Sequence, residues 1–450
     1  SVFLSILVAT IIALSVVYSQ EKAKNLEAVN PPTTPSTPKD PWENYRLPDS
    51  LSPVSYNITL WPRLVVNAST GLYIFTGQSD VVFRCEKETD LILIHCNKLN
   101  LTLLSLIGRD GATAPTIKKS WLEVPTQFLV IQLNSNLMAG RQYELYTEFI
   151  GELADDLGGF YRSEYTEGTI VATTQMQPED ARKAFPCFDE PAMKAIFHMN
   201  LLHAHGTVAL ANGMNLGKHG TLALANGKTC FISEAPRGTG SHEGKHVFCF
   251  QIRIWARKQA IAEGQGNYAL EKTGPIMEFF EKYYSSSYPL TKSDQIALPD
   301  FSAGVMENWG LITYRETALL FNPASSQYYT VIYTERRQLA PLWFGNLVTM
   351  KWWNDLWLNE GFASYVSYLG ADSYNFNCCT VHGAMSVDAL ASSHPLSAKE
   401  EDVVRPAQIS ELFDTITYSK GAAVLRMLSE FLTEPVFARG LSVRIVYVHV

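Results

Sequence analysis

From Gln142 to Phe149 the side chains alternate one by one, with Tyr143, Leu145, Thr147 and Phe149 set against Gln142, Glu144 and Glu148. A period of two turns successive side chains to opposite faces of an extended chain, so this stretch can bury one face of a β-strand and little else. Val81–Phe83, Leu91–Ile94 and Phe128–Leu133 read the same way, with turns between them. Many short strands from Tyr45 to about Cys249 predict a β-sandwich or saddle. Beyond Ile254 the spacing lengthens. Thr273-Gly274-Pro275 resembles a helix start, since proline suits a first helical turn, and Ile276, Phe280 and Tyr283 then fall on one face. Helical spacing returns from Tyr418 to Leu432. The chain is therefore expected to be α+β, a β-domain over residues 45–249 followed by a mainly helical domain over 250–450. The apolar run Ile445–Val450 stops abruptly, and the helical domain is expected to be incomplete.

Ser1 to Tyr18 carries no charge. Eighteen helical residues are about long enough to cross a hydrocarbon core of roughly 30 Å. A retained membrane anchor over residues 1–18 is preferred to a cleaved signal peptide, because no small-residue cleavage site follows cleanly. Residues 19–44 hold Pro31-Pro32-Thr33-Thr34-Pro35-Ser36-Thr37-Pro38, which favours extended backbone and reads as a stalk. The sequons at Asn57, Asn67 and Asn100 point to the secretory side of the membrane. A single-pass type II protein of the plasma membrane, with its bulk outside the cell, is the expected topology.

The net charge of -8 is spread along the chain without basic clusters, which argues against nucleic acid as a partner. Seven cysteines, scattered and odd in number, indicate neither a dense disulfide frame nor a zinc ribbon. Cys187, inside Phe185-Pro-Cys-Phe188, reads as a small buried hydrophobe. Thr207-Val-Ala-Leu-Ala-Asn-Gly213 recurs as Thr221-Leu-Ala-Leu-Ala-Asn-Gly227, and two copies are too few for a solenoid.

Four segments carry the candidate chemistry: Gln175-Met-Gln177 with Phe185-Pro-Cys-Phe-Asp-Glu-Pro191; Gly304-Val-Met-Glu-Asn308; Trp343-Phe-Gly-Asn346 leading to Trp357-Leu-Asn-Glu-Gly-Phe362; and Tyr418-Ser-Lys-Gly421. In this order they resemble the aminopeptidase N group of the gluzincin aminopeptidases, from the N-terminal run to about Gly440 and least well over residues 203–250. The resemblance implies a thermolysin-like second domain and zinc-dependent release of N-terminal amino acids from peptides. It also implies that Glu307 receives the free α-amino group with help from Gln177, and that Tyr418 donates to the oxyanion of the tetrahedral intermediate. An ammonium in a closed pocket must meet an anion, which is the physical need for Glu307. The resemblance allows for a homodimer.

The family's zinc site is H-E-x-x-H on one helix, with a glutamate after eighteen further residues. Counting back from Glu360 gives the window Arg337-Gln338-Leu339-Ala340-Pro341. Arg337 brings a fixed cation to a metal's place. Gln338 at the general-base position cannot take a proton from water. Pro341 offers no lone pair, and inside a helix costs ~3 kcal/mol. Glu360 is the sole retained family ligand, and zinc is expected not to bind. His242-Glu-Gly-Lys-His246 is a literal H-E-x-x-H, but its glycine, its run into Val247-Phe-Cys-Phe250 and the lack of a following Asn-Glu mark it as a loop. His95, His198 and His394 show no ligand spacing.

Three readings compete: an inactive homologue that still binds peptide amino termini or serves as a surface receptor, an active zinc metalloaminopeptidase with an unforeseen ligand set, and a degraded copy that does not fold stably.

Overall fold

The computed structural model describes residues 40–165, 168–214, 221–223, 230–233, 250–321, 337–369 and 380–448. Contacts divide the chain into Ser1–Asn44, of which one short turn at Pro41–Glu43 is described, and Tyr45–Val450, to which the following account belongs. The predicted anchor at residues 1–18 lies outside the described residues. No helix among the described residues is long and apolar enough to cross a membrane.

The first half is β-rich. Its strands are β1 (Leu51–Pro62), β2 (Ile74–Cys85), β3 (Thr89–His95), β4 (Leu99–Gly108), β5 (Ile117–Glu123), β6 (Phe128–Leu137), β7 (Gln142–Glu152), β8 (Gly159–Glu164), β9 (Ile170–Gln175), β10 (Ile196–Leu201), β11 (Val208–Ala211), β12 (Thr221–Ala223) and β13 (Cys230–Ser233). They form a six-stranded sheet, β12-β10-β1-β2-β7-β4, a three-stranded sheet, β3-β6-β5, and a four-stranded sheet, β11-β13-β9-β8. The alternation that marked β7 holds: Tyr143, Leu145, Thr147 and Phe149 are all buried while their neighbours are not. Aromatic rings fill the interior, with Tyr56 stacked on Phe197 at 4.5 Å. Cys187 is 1% exposed, as expected of a small core residue. The two copies of the seven-residue repeat do not make a structural repeat. The first supplies β11, paired to β13, and the second supplies β12, paired to β10 in a different sheet.

The second half opens with a sheet that the sequence did not announce. Strands β14 (Gln251–Trp255), β15 (Lys292–Leu298), β16 (Val305–Met306) and β17 (Leu311–Arg315) pair in the order β14-β15-β17-β16, with β15 parallel to both its neighbours. All seven residues of β15 are buried, four of them polar. Its polar groups are matched internally. Lys292 Nζ donates to the carbonyls of Ala211 and Gly310 and lies 2.8 Å from Asp294, while Arg253 grips Asp294 and Gln295 donates to Thr273 Oγ1.

Helix α1 (Asn267–Tyr284) corrects a second expectation. Thr273-Gly274-Pro275 does not start it: the helix begins eight residues before Pro275, which sits in its interior. Thr273 Oγ1 donates to the Ala269 carbonyl within the same turn. The buried stripe runs through Ala269, Thr273, Ile276, Met277, Phe280 and Tyr284, with Tyr283 half-exposed. Phe280 and Tyr284 pack on Trp343, which is fully buried and donates through Nε1 to the Ser286 carbonyl. Helix α2 (Leu356–Ser367) crosses helix α3 (Gly421–Leu432) at two glycines. A Cβ on Gly361 would lie 2.8 Å from the Gly421 carbonyl carbon, so the backbones meet with no side chain between them.

Candidate active site

That glycine contact positions two of the candidate residues. Glu360 precedes Gly361 on α2, and Tyr418 stands in a π-helical turn, Ile416–Lys420, that runs directly into α3. A π turn widens the helix and re-aims its side chains, a device common at functional sites. Glu307 lies on the loop between β16 and β17. Its carbonyl accepts from Asn346 Nδ2 at 2.7 Å, and Asn308 Nδ2 donates to Thr313 Oγ1 on β17. Lys292, buried in β15, holds the far end of this loop through Gly310. Gln177 follows β9, and its carbonyl accepts from Gln175 Nε2.

These residues converge on one cavity of about 810 Å³, within the range usual for small-molecule sites. Gln177, Glu307, Arg337, Gln338, Pro341, Glu360 and Tyr418 all line it. The sequence named all seven, from the four segments and the separate 337–341 window, and the fold gathers them. Gln175, which also lines the cavity, and the support Asn346 were named only as members of their motifs, without a role. Lys292 was missed, since it sits in a strand whose polar sequence gave no signal.

Pro341 does less damage to the backbone than an interior helical proline would. Residues 337–339 are helical, but the chain tightens to a 3-10 turn at Ala340–Leu342, where Pro341 occupies an early position and its missing N–H is not needed. The Pro341 carbonyl then accepts from Asn346 N at 3.0 Å.

Charge in the cavity is unevenly matched. The Arg337 guanidinium lies over the Tyr418 ring, 4.8 Å from its centroid, and makes no ion pair with a described carboxylate. Burial pushes Glu307 above the usual carboxylate range, with Arg337 pulling the other way. Burial, reinforced by the Glu307 charge, pushes Glu360 up to about 8, against the attraction of Arg337 and a hydrogen bond from Tyr418. Burial and the nearby Glu360 raise Tyr418 well above its ordinary value, so its hydroxyl keeps its proton at neutral pH and can donate.

Zinc fits this cavity poorly. Structural and catalytic zinc sites draw on at least three nitrogen, sulfur or oxygen ligands. Of the positions that the resemblance marks as ligands only Glu360 carries a suitable donor; Arg337 brings a fixed cation, Gln338 an amide and Pro341 a side chain without donors. No group of three His, Cys, Asp or Glu able to hold a metal ion comes together among the described residues. His242 and His246 lie outside the described residues. His95 is instead buried in the β-rich half, where Nδ1 accepts from Asp189 N, and His394 contacts Asp414 at 2.9 Å.

Comparison with known proteins agrees with the architecture. Residues 52–231 match the Peptidase M1 N-terminal domain and residues 268–448 match the Peptidase family M1 domain. The chain is 51% identical to aminopeptidase Ey of Gallus gallus, over 96% of its own length and 50% of the relative's. It is 52% identical to aminopeptidase N of Oryctolagus cuniculus, over 96% and 49%, and 50% identical to aminopeptidase N of Homo sapiens, over 97% and 50%. The chain thus spans about half the length of the curated relatives it matches. With both M1 domains in order along it and half its residues shared with these enzymes, the chain belongs to peptidase family M1 and is aminopeptidase N-like.

Proposed function

We propose that this chain binds the amino termini of peptides in its cavity and does not hydrolyse them. One observation carries the reading: Arg337 lies over the Tyr418 ring in the same cavity as Glu307 and Glu360, so a guanidinium stands where the family needs a metal ligand. Glu307 supplies the anion that an incoming ammonium requires, and the Tyr418 hydroxyl, which donates to Glu360 in this structure, would turn from it to the first carbonyl oxygen. What is missing is a base: Gln338 cannot remove a proton from water, so no nucleophile is generated. The proposed setting is the outer face of a membrane, through an anchor at residues 1–18. Asn100, exposed on a strand of the six-stranded sheet, is available for glycosylation, whereas Asn57, exposed on the same sheet, donates through Nδ2 to Asp80 and accepts from Asn200. Asn67 is the poorer acceptor, since its side-chain oxygen is taken up by Ser69 and Thr70.

The test is reversal. The combined change Arg337→His, Gln338→Glu and Pro341→His restores two imidazoles at i and i+4 beside Glu360. Metal analysis after dialysis against zinc should read about one zinc per chain in this variant and none in the parent, and release of p-nitroaniline from alanine p-nitroanilide should rise by at least ~100-fold. Zinc-dependent hydrolysis by the parent chain would defeat the proposal.

A further inference from the structure

We propose that the cavity takes free neutral α-amino acids in preference to peptides, Glu307 holding the α-ammonium and Arg337 the α-carboxylate. The proposal rests on the reading of Glu307 as the amino-group site and adds the identity of the group that follows it.

The geometry of Arg337 is the first support. A guanidinium stacked over a ring uses its face, and its N–H donors lie at its edge. The Arg337 guanidinium carbon lies 4.8 Å from the Tyr418 ring centroid and no described carboxylate comes within ion-pairing distance, so among the described residues its N–H donors are open to a ligand. A carboxylate answers such an edge with two parallel N–H···O bonds, whereas a peptide carbonyl offers one neutral oxygen. Glu307 lines the same cavity and makes no ion pair with a described cation. Of the four carboxyl groups that line the cavity, Asp156 and Asp180 pair with Lys98 and Lys183 and Glu360 is pushed up to about 8. That leaves Glu307 as the anion and Arg337 as the cation, neither within ion-pairing distance of a described partner although Arg337 pulls on both Glu307 and Glu360.

An α-amino acid carries the complementary pair in fixed register, its nitrogen and carboxyl carbon about 2.5 Å apart across one Cα. In a peptide the second charge is absent at that position, and the guanidinium edge would be left facing a neutral amide. Side-chain oxygens of Gln175 and Gln338, both in cavity-lining residues, are buried without a described partner and are acceptors suited to the N–H donors of an α-ammonium. Val305, Met306, Ala363 and Phe413 give the remaining wall an apolar character suited to a neutral side chain.

The experiment is calorimetric titration of the purified chain at pH 7, with EDTA present throughout, using L-methionine, L-methioninamide, N-acetyl-L-methionine and the dipeptide Met-Ala. L-methionine should bind at least ~10-fold more tightly than the amide or the dipeptide, since a charge-assisted pair is about twice as strong as a neutral one, and the acetylated compound should not bind. Arg337→Gln should remove that advantage and leave the amide within ~2-fold, with a thermal melt establishing that the variant is folded. If it is not, Arg337→Lys keeps the charge without the fork and should lose part of the advantage. An amide or dipeptide that binds as tightly as methionine overturns the preference while sparing the amino-group reading. Binding of the acetylated compound, or of no compound, overturns both.

Discussion

Two arginines show what a buried charge can be for. Arg182, 2% exposed in the β-rich half, has its donors spoken for: Nε reaches Asp189, one terminal nitrogen reaches Gln127, and the other reaches Glu179 and the Asp189 carbonyl. Arg337, in the cavity, has an aromatic ring beneath it and no described carboxylate at its edge. The first is a fully bonded ion that ties together Phe185–Pro191, the strand loop at Gln127 and its own turn. The second rests over a ring, pulls on Glu307 and Glu360 from a distance, and ion-pairs with no described carboxylate. A charge satisfied within the fold is a structural part, and a charge with no described carboxylate at its donors is the kind of group the proposed ligand would engage.

The comparison can be broken most decisively at its structural end. Arg182→Met leaves Asp189 and Glu179 buried without their cation and should lower stability by ~3–5 kcal/mol, read from the denaturant midpoint. A loss below about 1 kcal/mol would mean that Arg182 is not the structural part claimed.

The next effect lies with Glu360 and has a defined sign. Its folded pKa, about 8, stands above the unfolded value near 4.5, so the native state binds more protons between those values. Stability should therefore fall as pH rises through about 4.5 to 8, with the cost complete above that window. Glu360→Gln removes the titration and should stabilise the protein by ~2–4 kcal/mol at pH 9 while changing little at pH 4. Melting curves of parent and variant across that range check it, and parallel curves would contradict it.

The smallest effect completes the contrast. Arg337→Met keeps a chain of similar length over Tyr418 and breaks no described ion pair, so its stability should change by less than ~1 kcal/mol. A loss as large as that of Arg182→Met would erase the distinction between the two arginines.

The same distinction explains what could be read from the sequence. Strand β7 was legible because one of its faces meets water and the other does not, which writes an alternation into the chain. Strand β15 was illegible because both faces are buried and Lys292-Ser-Asp-Gln295 are matched to groups far away in sequence. The start of α1 was misplaced because Thr-Gly-Pro imitates a helix beginning, while the true start at Asn267 follows Gly266, which has no capping side chain. Site residues were recovered as far as short motifs name them. That Arg337 meets Tyr418, 81 positions later, depends on the crossing of α2 and α3 and is not written in either segment.

That crossing also constrains how the cavity can move. Because Gly361 and Gly421 touch backbone to backbone, the two helices cannot slide closer, and any side chain inserted between them forces them apart. Glu360 and Tyr418 are therefore mounted on a single mechanical part with almost no internal freedom. The Glu307 turn between β16 and β17 is a separate mounting, tied instead to Asn346 and, through Gly310, to Lys292.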